Sequence, residues 1–189
     1  KFGGASLSDA AGFRRAAGLL KAGAPRPQLA VVSATFGTTD RLVAAMHAAK
    51  AGREHADLPF LFASHRALLA PLGLDATLLE HDFAELDADI ADLRCGQPDR
   101  GQSARISGAG EVWSSRILAA LLGRDWAWLD AREVLVVTHG ELGARLDDAA
   151  TREALTNWRR AHPQPNLIAT GFLARLADGT HTTLGRNGS

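Results

Sequence analysis

The sequence has little that points to a membrane, a metal or a nucleic acid. Cys95 is the only cysteine among 189 residues, so no internal disulfide can form and no cysteine cluster offers a structural zinc site. Its thiol reads as a small hydrophobe or an inert surface group. His47, His55, His65, His81, His139, His162 and His181 are scattered, with no HxxxH pair or other metal-ligand spacing, so no metal site is expected. No run approaches the roughly 18 apolar residues of a membrane span. The opening KFGGASLSDA lacks the apolar core of a signal peptide, so a cytoplasmic location is expected. Twenty-one basic residues balance 21 acidic ones, so no global field draws the chain to nucleic acid or to an anionic membrane. Any phosphate it handles must be met by local chemistry. Internal repeats and low-complexity tracts are also missing.

What is present is ordinary globular composition, 46% apolar and 22% charged, with room for one domain and a sizeable core. The chain opens on Lys1 and closes on GRNGS, a loop sequence, and both ends read as cut from a longer protein. Lys1 and Phe2 read as the end of a strand, Gly3 and Gly4 as a tight turn, and Ser6 or Ser8 as the cap of a helix from about Asp9 to Lys21 with Phe13, Ala17 and Leu20 inward. Leu29 to Ser33 is a short apolar run of the doubly buried kind, followed by a small-residue loop and a helix from Thr39 or Asp40 to about Lys50. This is an α/β pattern with a parallel sheet. Residues 53–94 read as a helical subregion. Leu58, Leu61, Phe62 and His65 share one apolar face, and Leu78, Leu79, Phe83, Leu86 and Ile90 another. Asp82, Glu85, Asp87, Asp89 and Asp92 read as a solvated side.

After a loop from Cys95 to Ser103, a helix is expected from near Gly110 to Gly123 with Trp113, Ile117, Ala120 and Leu121 inward. Trp126 to Leu129, Val134 to Thr138 and Asn166 to Thr170 are strand candidates, with a helix from Thr151 to Arg160 between them. Phe172 to Leu184 reads as a hairpin turning on Asp178-Gly179. Trp113, Trp126, Trp128 and Trp158 read as core or interface, since no basic patch accompanies them.

Four segments carry residue types suited to chemistry. In KFGG, glycines after a strand let backbone N–H groups approach an anion, and a lysine supplies positive charge for a transferring phosphoryl group. The alternative is a turn with a solvent-facing lysine. The segment is neither a Walker A loop nor a GxGxxG fingerprint. Ser33-Ala34-Thr35-Phe36-Gly37-Thr38-Thr39 follows a buried strand, where ligands sit in open parallel sheets, although its hydroxyls are equally suited to capping. Gly108-Ala109-Gly110-Glu111 reads as the mouth of a helix, where Glu111 suits the helix dipole and the small Ser114 and Ser115 leave space for a ligand. Thr182-Thr183-Leu184-Gly185-Arg186-Asn187-Gly188-Ser189 places a Gly-flanked arginine where it can fork onto a carboxylate or phosphate, or form a surface turn.

Taken in order, KFGG(A)S, VVSA…GTTD, GE and ATGF…TTLGRNGS resemble the N-terminal catalytic domain of aspartokinase, in the amino acid kinase family. The resemblance covers essentially the whole chain, and TTLGR-x-GS is its most specific motif. GEVWSSRILAALL…WLDAREVLVV and LGRNGS look most like the bifunctional enzymes that also carry homoserine dehydrogenase. The resemblance implies an αβα sandwich, incomplete at both ends, and ATP-dependent phosphorylation of the side-chain carboxylate of L-aspartate to 4-phospho-L-aspartate, ahead of lysine, threonine and methionine synthesis. It implies that Lys1 stabilises phosphate charge, that Gly3, Gly4 and Ser6 lie at the phosphates, and that Ser33, Thr39, Glu111, Arg186 and Ser189 hold aspartate. It further implies ATP with Mg²⁺, a homo-oligomeric parent, and NADP only if a homoserine dehydrogenase domain follows. Ala5 departs from the usual KFGGTS and removes one hydroxyl. Residues 1–189 are then a partial catalytic domain without its nucleotide half, expected not to turn over alone. The rival readings are a glutamate- or acetylglutamate-type kinase, and a non-catalytic aspartate-binding remnant.

Overall fold

In the computed structural model, residues 1–23, 27–140 and 143–185 are described. Three strands, β1 (Leu29–Val32), β5 (Asn166–Thr170) and β2 (Trp126–Leu129), form a wholly parallel sheet in the order β1-β5-β2. Phe2 adds an isolated parallel bridge to Val32, with its N–H on the Val31 carbonyl at 2.9 Å. The end of the chain therefore lies along β1, as Lys1-Phe2 predicts.

Side-chain alternation on these strands makes the layers. Ile168 of β5 and Trp126 of β2 join a large core with the long helix α5 (Gln102–Leu122). Leu167 and Ala169, with Ala127 and Leu129, face the other way, onto Val134, Ala154 and Trp158 of α6 (Ala131–Val134) and α7 (Asp148–Ala161). Period-two burial on both faces is what a sheet covered by helices on each side requires. The sandwich expected from the sequence is present.

Helix α1 (Ala10–Ala22) buries Phe13, Ala17 and Leu20 as predicted, but its cap is Asp9, which accepts from the Gly12 N–H at 2.7 Å. Ser6 and Ser8 do not serve there, because a 3-10 turn over Gly4–Leu7 comes first. Helices α2 (Thr38–Lys50), α3 (Asp57–Leu72) and α4 (Glu80–Arg94) match the reading, and both expected apolar faces of residues 53–94 point inward. Phe62 stacks on Phe83 at 4.6 Å, and Phe83 meets Trp113 of α5 edge-on at 5.0 Å. Edge-to-face rings add to the apolar burial that fastens the helical subregion to α5. The acidic side of α4 is less solvated than expected. Asp82 is buried and pairs with Arg116 at 3.1 Å, and Asp89 accepts from Arg105 at 2.9 Å. Both face α5, whose arginines complete the pairs.

The largest departure concerns α5 itself, which begins at Gln102 and not near Gly110. Gly101, at φ 90°, is the residue that ends the loop. The glycines farther on are packing positions. A Cβ on Gly108 would stand 2.2 Å from Leu173 Cδ2, and one on Gly110 would stand 2.7 Å from Ala34 Cβ. Sixteen of the 21 residues of α5 are buried, so it has no solvated face of the usual width. Ala120 is accordingly exposed and Leu121 half-buried, against the predicted stripe, while Trp113 and Ile117 are inside.

The Val134–Thr138 candidate divides into the end of α6 and the start of β3 (Val137–Gly140), which pairs antiparallel with β4 (Gly143–Leu146). Asp130 caps α6, so Val134 is held helical. Helix α7 starts three residues before Thr151 because Asp147 caps it, accepting from Ala150 N–H at 3.0 Å. Strands β6 (Leu173–Arg175) and β7 (His181–Thr183) form the expected hairpin, with Gly179 at φ 85° in the turn. No helix among the described residues is long and apolar enough to cross a membrane.

Candidate active site

The motifs meet at the carboxyl ends of β1 and β5. Because Phe2 pairs with β1, Gly3 and Gly4 leave the sheet beside the loop that follows Val32, and the Ser33 N–H donates to the Phe2 carbonyl at 3.0 Å. Gly4 is demanded by packing, since a Cβ there would stand 2.7 Å from the Ala34 carbonyl oxygen. Gly3 differs. Its backbone is ordinary, at φ −86°, and a Cβ would meet nothing within 4 Å among the described residues. That side of the turn is open to a ligand. Lys1 is exposed at the same end of the sheet. Ser6 is exposed too, but its N–H is committed to the Gly3 carbonyl at 2.9 Å, so only its hydroxyl can serve an anion.

The loop from Ser33 to Gly37 is fastened on three sides. Gly4 lies against Ala34, and Gly110 of α5 against Ala34 and Thr38, in each case too close for a side chain. The Ser114 hydroxyl donates to the Ser33 carbonyl at 2.7 Å. Ser114 and Ser115 therefore leave no space for a ligand. Both are fully buried ties, Ser115 accepting from the Trp128 indole N–H at 2.8 Å. The Ser33 side chain is half-buried, and half-buried Thr39 stands in the first turn of α2.

Glu111 lies in the middle of α5, not at its mouth, so helix capping does not explain it. It is 5% exposed, and burial pushes its carboxyl up from the usual carboxylate range to about 7, while hydrogen bonds from the Ala34 and Glu111 backbone N–H groups act in the opposite direction. Its Oε2 has no hydrogen-bond partner among the described residues. A buried carboxylate oxygen left unmatched costs folding free energy and calls for a donor beyond the described residues. An ammonium group meets that need with charge as well as protons.

Chain from the other end of the site arrives through β5. The Gly171 N–H donates to the Val32 carbonyl at 2.8 Å, and the Leu184 N–H to the Phe172 carbonyl at 2.8 Å, bringing the end of the hairpin to the same sheet edge. Phe172 holds φ 62°, the one non-glycine among the described residues in that region. Such backbone strain gathers at functional sites. Nothing in the sequence signals it. A cleft of about 540 Å³ runs between α2, α5 and the hairpin, lined by Met46, Ser107, Phe172 and Thr183 among others. Ser107 lies one helical turn before Glu111, on the same face. Arg186 and Ser189 lie outside the described residues. Among those described, no group of three or more His, Cys, Asp or Glu could hold a metal ion.

No family model matches the chain. Curated proteins do. Over its whole length the chain is 33% identical, across 199 residues, to a bifunctional aspartokinase/homoserine dehydrogenase 2 of Escherichia coli K12, of which it spans 24%. It is 30% identical across 203 residues to a chloroplastic bifunctional aspartokinase/homoserine dehydrogenase 1 of Arabidopsis thaliana, of which it spans 22%. Against an aspartokinase of Chlamydia muridarum it is 26% identical and spans 42%. The chain thus covers about a quarter of the bifunctional relatives. In fold, it superposes with a TM-score of 0.81 on E. coli aspartokinase III crystallised with aspartate and ADP, at 23% identity over 99% of this chain and 43% of that one. Clostridium acetobutylicum aspartate kinase gives 0.81 at 21% identity, over 100% of this chain and 42% of that one. Over its whole length the chain is thus similar in sequence to part of these aspartokinases and shares the fold of the corresponding part of the solved ones.

Proposed function

We propose that this chain supplies the amino-acid site and the first phosphate loop of a kinase that transfers the γ-phosphoryl group of ATP to the side-chain carboxylate of L-aspartate. A carboxylate oxygen bonds to the γ-phosphorus, the bridging oxygen leaves with ADP, and 4-phospho-L-aspartate results. The observation that carries the reading is Glu111, a buried carboxylate with one oxygen unmatched among the described residues, at the point where the KFGG loop, the Ser33–Thr39 loop and α5 pack together.

In this reading Glu111 receives the substrate ammonium, and Thr39 and the Ser33 hydroxyl hold its polar groups. Arg186 grips the α-carboxylate as a fork, with the Ser189 hydroxyl beside it. The side-chain carboxylate is then the group left to face the phosphates, so catalysis is largely positioning. Gly3 gives phosphate an open backbone approach, Gly4 holds the loop closed on Ala34, and the Ser6 hydroxyl flanks them. Lys1 offsets the charge that spreads over the phosphoryl oxygens. Mg²⁺ enters as part of the nucleotide substrate, carried on its phosphates. Residues 1–189 serve as the substrate half of a catalytic domain. A homo-oligomeric, cytoplasmic parent, using NADP only where a homoserine dehydrogenase domain follows, completes the proposal.

Titration calorimetry with L-aspartate tests it. Binding should be saturable, absent with L-glutamate and N-acetylglutamate, and weakened at least about tenfold by Glu111→Gln, the cost of an ion pair's charge. Equal binding of L-glutamate, or unaltered affinity in E111Q, would refute the assignment.

A further inference from the structure

From the Ser33–Thr39 loop a hydrogen-bond chain runs back to His65, a residue that none of the sequence motifs includes. His65 of α3 is 2% exposed, and its ring meets the Trp113 indole edge-on at 4.8 Å. Its Nδ1 stands 2.8 Å from the Leu61 carbonyl oxygen. A carbonyl can only accept, so Nδ1 carries the proton and Nε2 is a bare lone pair. Nε2 in turn stands 3.2 Å from Thr35 Oγ1, which therefore donates to it. Thr35 Oγ1 lies 2.7 Å from Thr38 Oγ1, and with its own proton engaged it accepts from Thr38. Each step has one permitted direction: Thr38 hydroxyl to Thr35 hydroxyl to His65 Nε2.

This relay holds both shoulders of the turn whose Ala34 packs on Gly110, beside Glu111 in α5, and whose next residue is Thr39. It also commits the Thr35 and Thr38 protons, so a ligand reaching this loop meets the Thr39 hydroxyl. Thr38, buried under Gly110, is not accessible to one. We infer that His65 is a positioning residue for the amino-acid site: as a neutral Nδ1–H imidazole it orders Thr35 and Thr38, and through them Ala34 and Thr39, without touching the ligand. For its ligand, L-aspartate, the inference rests on the function proposed above.

Four variants separate geometry from bulk. Thr35→Val removes the hydroxyl at constant volume and Thr35→Ser keeps it. His65→Leu removes the acceptor, and His65→Gln returns an oxygen near the Nε2 position. In calorimetry on the chain, T35V and H65L should weaken L-aspartate binding about tenfold. T35S and H65Q should stay within about threefold of the parent, as conservative replacements of one hydrogen-bonding atom. Long-range ¹H–¹⁵N spectra should show the His65 Nδ1–H tautomer, with a Nε2 shift that moves on adding L-aspartate. An Nε2–H tautomer, or T35V binding like the parent, overturns the inference.

If the parent chain binds no L-aspartate, the functional reading fails and the relay is judged separately on the Glu111 side-chain carboxyl ¹³C titration. Its midpoint should move in T35V and not in T35S, and an unmoved midpoint in T35V counts against the relay. T35V, nearly isosteric, carries the test should H65L not fold.

Discussion

A carboxyl with a midpoint near neutrality and a buried neutral imidazole make this site responsive to pH. Glu111 is raised from 4.5 to about 7 by burial, so between those values the native state holds a proton that the unfolded chain has lost. Its share of stability is present below the unfolded value and is lost as pH rises through the folded one, up to about 3 kcal/mol for a shift of this size. Glu111→Gln should therefore melt close to the parent at pH 5 and several degrees above it at pH 8, by thermal unfolding followed with circular dichroism. His65 has the opposite sense. Burial lowers its pKa, so its contribution is present above its ordinary value of 6.5 and falls as the solution is acidified below that. If an ammonium ligand pairs with Glu111, the carboxyl ionises on binding. Calorimetry at pH 7 in buffers of differing ionisation enthalpy should then show proton release to the buffer, and E111Q should show none. From residue types alone Glu111 was legible only as a first-turn residue suited to the helix dipole, and it was the resemblance that gave it a substrate to hold. His65 was legible only as part of an apolar face. Its hydrogen bond spans 30 residues to Thr35, and no local pattern encodes a partner so distant.

Among the elements, the glycines divide by what surrounds them. Gly18 lies on the outer face of α1 with nothing within 4 Å of a built Cβ among the described residues. Gly18→Ala should raise stability by about 0.5–1 kcal/mol, through helix propensity and a less free unfolded chain. Gly110 is also helical, yet a Cβ would strike Ala34 Cβ at 2.7 Å and Thr38 Cγ2 at 2.8 Å. Gly110→Ala should cost about 1–3 kcal/mol by overpacking and push the Ser33–Thr39 loop off Glu111. Urea midpoints for the two variants should thus move in opposite directions. Strands β1, β2 and β5 were legible because short, doubly buried runs bounded by turns have few other readings. The start of α5 was not. Its Gly-Ala-Gly looks like punctuation, and only the neighbours that press on it show that it is a contact.

In the molecule as a whole, one apolar cluster runs from α1 through the sheet to α3 and α4, with Trp113 fully buried within it. The helical subregion therefore has no separate core of its own. Urea unfolding read by Trp fluorescence and by far-ultraviolet dichroism should give one coincident transition. Trp113→Ala should lower stability by about 3–5 kcal/mol without splitting it. The αβα layering was legible from the alternation of apolar runs and helices. The subregion was legible as helices beside the sheet, but its seat against α5 was not, because that depends on aromatic contacts between residues 62, 83 and 113 that no periodicity links.

Helix α5 has consequences for motion. With 16 of 21 residues buried and sheet, helices and hairpin packed around it, its amide hydrogens are exposed to water only when the whole chain opens. They should be among the last in the molecule to exchange with deuterium. Glu111 thus sits on a rod buried along most of its length, while Ala34, packed beside it, belongs to a loop. A ligand arriving there meets a carboxylate carried on that rod and a loop already fastened to it.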